Sequence, residues 1–360
     1  MLSPNNHRTL FALSIFALLG LTLPDARAQQ SAAAKPDTHP PAGVECPKPP
    51  SVITTPQGVE LVPSAHGLEV LRAKESYTTL TLEGSELKPQ PPLSTDHEKN
   101  ADFERELVRV QWRPSDPIDM YIVKPPNAMN PPVVLFLDGY SRNLDTYRDN
   151  TLCKYLVKNG TAAVGFESAH AGYRAERGPL NQWFVSVLPE SLTESVHDVQ
   201  LILDYLTPRG DLDMTRVGMF AEGSGASIAI LAAATDHRLN AIDLLNPWGD
   251  WPDWLAKSPV IPDDERANYL KPDFLARVAT LDPVSYLPNL TSCAVRITLW
   301  DDVNSKTKEA TAKLEAAAPE NAKITHYPTA FSMALANGEG RMFVWLASTL
   351  TQPKPGGKNL

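Results

Sequence analysis

Apolar residues along this chain fall into short runs, and the spacing within and between the runs predicts most of its elements. Between Phe103 and Val123 the period is two. Val108, Val110 and Trp112 alternate with Arg109 and Gln111, and Ile118–Val123 follows a Pro/Asp turn, so a hairpin is predicted. The runs 133–137 and 217–221 are apolar and of strand length, the pattern of strands buried on both faces, and strands are also predicted over 161–166, 241–245 and 295–300. A last strand is predicted over 323–327. Helical spacing appears between them: near 152–158; through Leu192, Val196, Val199, Leu203 and Leu206, stopped by Pro208 and Gly210; over 226–234 and 306–318; and over 341–350. Two antiparallel strands followed by alternating strands and helices imply an α/β fold with a mostly parallel sheet covered on both faces.

The flanks read differently. His7 and Arg8 precede an apolar run from Leu10 to Leu23, and Ala26-Arg27-Ala28 supplies small residues at a cleavage site. Residues 1–28 are therefore read as a signal peptide cut near Ala28, which implies a secreted or periplasmic protein with no lasting membrane insertion. Residues 29–57 are Pro-rich and without period, a disordered leader. Residues 58–102 read as irregular, with one strand expected at 77–82. The structured domain is expected over 103–350, with a cap at about 246–292 and a frayed tail at 351–360.

Composition narrows the function little. Among 360 residues, 42% are hydrophobic and the net charge is −9, which disfavours nucleic acid as a partner. Cys46, Cys153 and Cys293 permit one disulfide at most, and Cys153 sits in an apolar, helix-like stretch as a small hydrophobe. No phosphate loop, dinucleotide fingerprint or metal-ligand spacing is present, so no cofactor and no metal are expected.

The stretch Arg216–Thr235 carries the chemistry. An apolar strand, Gly223-Ser224-Gly225 and an Ala-rich helix make the strand–turn–helix of a nucleophile elbow. The residues two before and two after the tip must be small for strand and helix to cross. With Gly223 at the tip those neighbours are Ala221 and Gly225. With Ser224 at the tip one of them is Glu222, whose side chain does not suit the crossing. Sterics favour Gly223, which leaves no nucleophile.

The order of elements together with this elbow resembles the α/β-hydrolase superfamily, and more narrowly its secreted esterase and dienelactone-hydrolase or oligopeptidase-like branches. The likeness spans 103–350. It implies a Ser, an acid and a His in that chain order, with triad-equivalent positions Gly223, Asp302 (beside Asp301, after the 295–300 strand) and Ser332, in the loop after the last strand. Two of the three then lack the chemistry, because serine cannot replace imidazole as a proton shuttle. The resemblance also sets Asp138-Gly139 at the oxyanion loop, where a carboxylate is repulsive.

Fallback groups are Ser224 as nucleophile with His170 or His326 as base. His326 is expected to point into the sheet packing. Asp138, Gly139, His170, Glu222, Trp248 and Asp250 are expected to line a pocket, and the tryptophans of 247–254 either line it or pack the cap. His197 and Asp198 are read as a satisfied packing pair. The favoured reading is a non-catalytic binding or scaffold protein for a small-molecule or peptide ligand. The alternatives are a serine hydrolase using Ser224 with Asp302 and an unusual base, or acid/base chemistry by Glu222, His170 and Asp138. The oligomeric state stays open.

Overall fold

The computed structural model describes residues 75–113, 116–140, 144–171, 174, 184–301, 307–338 and 340–351, and the backbone of three short strands before them. The expected signal peptide, nearly all of the leader, Cys46, Trp183, Asp302 and the tail after Thr351 lie outside the described residues.

Strands β1 (Ile53–Thr54), β2 (Glu60–Ser64) and β3 (Gly67–Val70) form a small antiparallel sheet. The main sheet comprises β4 (Leu93–Lys99), β5 (Glu104–Arg113), β6 (Asp116–Lys124), β7 (Pro132–Leu137), β8 (Ala162–Phe166), β9 (Asp213–Glu222), β10 (Leu239–Leu245), β11 (Ala294–Trp300) and β12 (Lys323–Tyr327). Its order is β12-β11-β10-β9-β7-β8-β6-β5-β4. The pairs from β8 through β7 and β9 to β12 are parallel; β4, β5 and β6 join antiparallel. The apolar run of β7 became a central strand because both of its faces are covered. Val133, Leu135 and Leu137 enter one core cluster, whereas Val134 and Phe136 enter the other.

Helices α1 (Asn150–Val157), α2 (Leu188–Leu206), α3 (Ser224–Thr235), α4 (Trp251–Lys257), α5 (Asp263–Tyr269), α6 (Pro272–Ala279), α7 (Pro283–Tyr286), α8 (Lys308–Ala317), α9 (Ala330–Ala336) and α10 (Val344–Thr351) supply the covers. Residues of α2 and α3 pack in the larger core; residues of α1, α9 and α10 pack in the smaller one. Helix α3 is buried almost throughout, which its alanines allow by letting the neighbouring chains approach closely. Cys153 and Cys293 are both free and buried, so they form no disulfide with each other.

Three expectations need correcting. The sheet starts at Leu93, and β2, β3 and β4 occupy much of the stretch read as irregular. Residues 77–82 are not a strand. Their carbonyls are bound by side chains spaced along one face of α2 instead of by a neighbouring strand. Thr193 Oγ1 donates to Tyr77 O (3.3 Å) and Gln200 Nε2 to Leu80 O (2.8 Å), while His197 Nε2 lies 2.9 Å from Thr79 O. His197 and Asp198 do not pair with each other. His197 Nδ1 is 2.8 Å from Glu75 Oε1, and Asp198 accepts from Trp112 Nε1 at 2.8 Å, from Arg174 Nη1 at 2.7 Å and from Arg113 Nη1.

Glu75 is the anchor of this N-terminal strap. It takes both Nε and Nη2 of Arg113, at 2.7 and 2.6 Å, with both side chains almost fully buried. Burial alone would raise its pKa, but the hydrogen bonds from Arg113 and His197 bring it down to about 2. A depressed carboxyl pKa stabilises the fold above the ordinary carboxyl range and stops doing so as pH falls toward 2. Glu75→Gln leaves Arg113 short of a buried counter-charge and is expected to cost about 3 kcal/mol near neutral pH. It should also flatten the loss of stability between about pH 4.5 and pH 2. Urea titrations across that pH range check both; an unchanged midpoint would refute the anchoring role.

Candidate functional site

The carboxyl ends of the parallel strands bring the candidate residues to one edge of the sheet. Strand β9 ends at Glu222 and α3 begins at Ser224. Gly223 between them has φ +55° and ψ −119°, a conformation that side-chain-bearing residues adopt only under strain. Gly223 is therefore the apex of the turn, and Ser224 is the first residue of the helix.

The crossing at the apex is tight. A Cβ on Gly225 would lie 2.4 Å from the Leu137 carbonyl oxygen and 2.8 Å from that of Asp138. A Cβ on Gly139 would lie 3.1 Å from the Glu222 carbonyl oxygen and 3.7 Å from Ser224 N and Oγ. The loop after β7 thus runs directly across the start of α3, and glycine at both places permits it. Glu222 itself is half-buried at the end of β9.

The Trp248 indole lies beside the apex. A Cβ at Gly223 would point at the Trp248 indole, 3.4 Å from Nε1 and 3.5 Å from Cε2. Trp248 is held there by its own backbone: its N–H donates to Gly223 O (3.3 Å), and its carbonyl accepts from Ser227 Oγ (2.7 Å). Trp254 packs against it with ring centroids 4.8 Å apart, and Trp251 meets Trp254 edge-on at 5.7 Å. All three indoles are buried, and Trp251 Nε1 donates to Leu281 O at 2.9 Å. These tryptophans pack the segment after β10 onto the core.

Ser224 is fully buried, and its Oγ accepts from the Tyr140 N–H at 2.8 Å. In an elbow of this kind the oxyanion donors are the N–H after the apex and an N–H from the loop after the neighbouring strand. Those groups here are Ser224 N and a loop amide such as Tyr140 N. The Tyr140 amide is engaged by the serine hydroxyl.

The remaining candidates have these surroundings. His170, after β8, is buried, and burial followed by the nearby Arg174 charge brings its pKa down to about 4, so the ring is neutral at pH 7. Asp250 has φ +55° and is paired with Lys313 at 2.6 Å. Ser332 Oγ donates to Thr329 O (2.8 Å) and accepts from Thr329 N (3.1 Å), closing a capping box at the start of α9. His326 does not point into the sheet packing. It is half exposed, because β12 is the edge strand, and its Nε2 lies 3.3 Å from Glu315 of α8. A cavity of about 200 Å³ lies there, lined by His326, Glu315, Trp300, Lys308 and the exposed Asp301. Among the described residues no group of three or more His, Cys, Asp or Glu could hold a metal, and no helix is long and apolar enough to cross a membrane.

Arg113, Arg174, Glu75, Asp116 and Glu194, which surround Asp198, were not singled out in the sequence. Their only trace there is charge at the ends of apolar runs, a signal shared by most solvated turns.

The sheet order, with the elbow after β9, defines the α/β-hydrolase fold. The chain matches no family model and, in sequence, no curated protein. Among solved structures it is similar to an acetyl xylan esterase from Paenibacillus sp. R4, with a TM-score of 0.54 and 16% identity over 68% of this chain and 83% of that one. It is likewise similar to acetyl xylan esterase 1 from Thermoanaerobacterium sp. JW/SL YS485, at 0.56 and 13% over 68% and 83%. An S-formylglutathione hydrolase from Agrobacterium tumefaciens gives 0.53 and 15% over 71% and 99%. At such identities the likeness establishes the fold.

Gly225→Ala is expected to abolish folding or to cost at least about 4 kcal/mol, because backbone oxygens cannot retreat from the new methyl. Gly223→Ala, strained in φ but at ordinary distance from Trp248, should cost about 1–2 kcal/mol. Denaturant midpoints of the two variants test the order, and a Gly225→Ala protein as stable as Gly223→Ala would contradict it.

Proposed function

We propose that this is an exported α/β-hydrolase-fold protein without hydrolytic chemistry, kept as a binding or scaffold protein for a small-molecule or peptide ligand. The observation that carries this reading is the apex. Glycine stands where a nucleophile would have to be, and the Trp248 indole packs against the place its side chain would enter. The rest agrees. The Ser224 hydroxyl is buried and accepts from the Tyr140 amide, so attack by it would require the turn to be rebuilt. The Ser332 hydroxyl is used in a helix cap, and His326 pairs with Glu315 at the sheet edge.

An esterase or peptidase reading follows from the fold's solved neighbours, but fold does not fix activity. Losing a nucleophile or its base costs about 10⁶ in turnover, and losing both adds little, since they act as a unit. Room for a small ligand exists beside Trp300 and His326. Export rests on the N-terminal 28 residues of the sequence.

The purified mature protein is expected to remain unlabelled by a fluorophosphonate probe. Ser224→Ala should leave that result unchanged and lower stability by about 1 kcal/mol through loss of the acceptor for Tyr140 N–H. Labelling that disappears in Ser224→Ala would establish a serine hydrolase instead.

A further inference from the structure

The buried charge cluster around Asp198 contains more acid than base. Arg113 and Arg174 face Glu75, Asp116, Glu194 and Asp198, and His197 joins through Glu75. Seen from Glu194, the groups around it are Asp116 at the start of β6, Arg113 at the end of β5, Arg174 in the segment after β8, and Asp198 one turn along α2.

Asp116 and Glu194 use the same donor. Arg174 Nη2 donates to Asp116 Oδ2 at 2.7 Å and to Glu194 Oε1 at 3.1 Å. Arg113 Nη1 lies near both as well, 3.6 Å from Asp116 Oδ2 and 3.7 Å from Glu194 Oε1. Two like charges held around the same nitrogens in a buried site disfavour the doubly ionised pair, so one of the two carries a proton. Burial pushes Glu194 up to about 7, whereas Arg174 holds Asp116 below its ordinary range against the effect of burial. The pair titrates as a unit, with its proton chiefly on Glu194. A cavity of about 50 Å³, lined by Pro117, Asp119, Glu167 and Arg174 among others, reaches this end of the cluster and has room for water.

Arg174 is also a tether. Its Nη1 donates to Glu167 O at 3.1 Å, just past β8, and Ala169 N donates to Ser195 Oγ of α2 at 2.9 Å, with His170 next in the chain. We infer that the proton held by the Asp116–Glu194 pair is a catch, tying the start of β6 to α2 around Arg174, and that its departure loosens the residues after β8 at the carboxyl edge of the sheet. A carboxyl group with a raised folded pKa stabilises fully below the ordinary carboxyl range, and that stabilisation is lost as pH rises through about 7. The catch holds in mildly acidic solution and opens in mildly alkaline solution.

Hydrogen–deuterium exchange of the intact protein tests this, with labelling times scaled for the intrinsic pH dependence of exchange. Protection of the Ala169 and Ala171 amides should fall by about tenfold between about pH 6 and pH 8, while the amides of α3 hold. Glu194→Gln keeps a donor in place without a titratable proton and should abolish the fall. Asp116→Asn serves the same purpose if that variant does not fold. Protection of Ala169 and Ala171 that is flat in the wild type, or the same fall in the folded variant, would overturn the inference.

Discussion

The chain leaving β7 passes within van der Waals reach of the first turn of α3, and the rest of the carboxyl edge is arranged around that contact. Gly225 and Gly139 are required on the two sides of it, since a methyl on Gly225 would meet backbone oxygens that cannot move. The crossing sets Gly223 as the apex and turns Ser224 into the helix. It also aims the Tyr140 amide at the serine hydroxyl. One steric contact thereby decides which residue of Gly223-Ser224-Gly225 stands at the apex.

What covers the apex follows from packing rather than polarity. Trp248, Trp251 and Trp254 bury large apolar faces against one another and against α3, and each such ring contributes about 2–3 kcal/mol of hydrophobic stabilisation. An indole seated against the tip of an elbow makes the turn part of the core. A catalytic elbow is the opposite: its strain is tolerated because it holds a side chain toward an open cleft.

The second organising feature is electrostatic. Two guanidiniums and three carboxyl groups from the N-terminal strap, β5, β6, α2 and the segment after β8 meet around Asp198, which has no exposure to solvent. Taking those charges from water is expensive, and the same burial by apolar residues would often be as stable. Bidentate contacts from Arg113 to Glu75 and from Arg174 to Asp116 instead specify which segments meet and in what register. This end of the sheet owes its order to matched hydrogen-bond geometry, and the apex owes its order to close packing.

The strands and helices from β5 onward, and the glycine-tight turn after β9, were legible in the sequence because each is written locally. A buried strand needs an apolar run, a helix needs its period, and a close crossing needs a residue without a side chain. Residues 77–82 misled because their period suggests a strand while their carbonyls are bound by Thr193, His197 and Gln200. The partners of Asp198 and His197 were beyond reach for a related reason: Glu75 and His197 stand 122 residues apart, and no local pattern encodes such a pairing. Likewise the exposure of His326 depends on β12 having a neighbour on one side only, which is a property of the sheet. By itself, then, the sequence determined the layers and the backbone of the turn, through hydrophobic period and the absence of a side chain. Only the tertiary structure decided where the polar groups find their partners and that an indole lies against the apex, because those contacts join segments far apart in the chain.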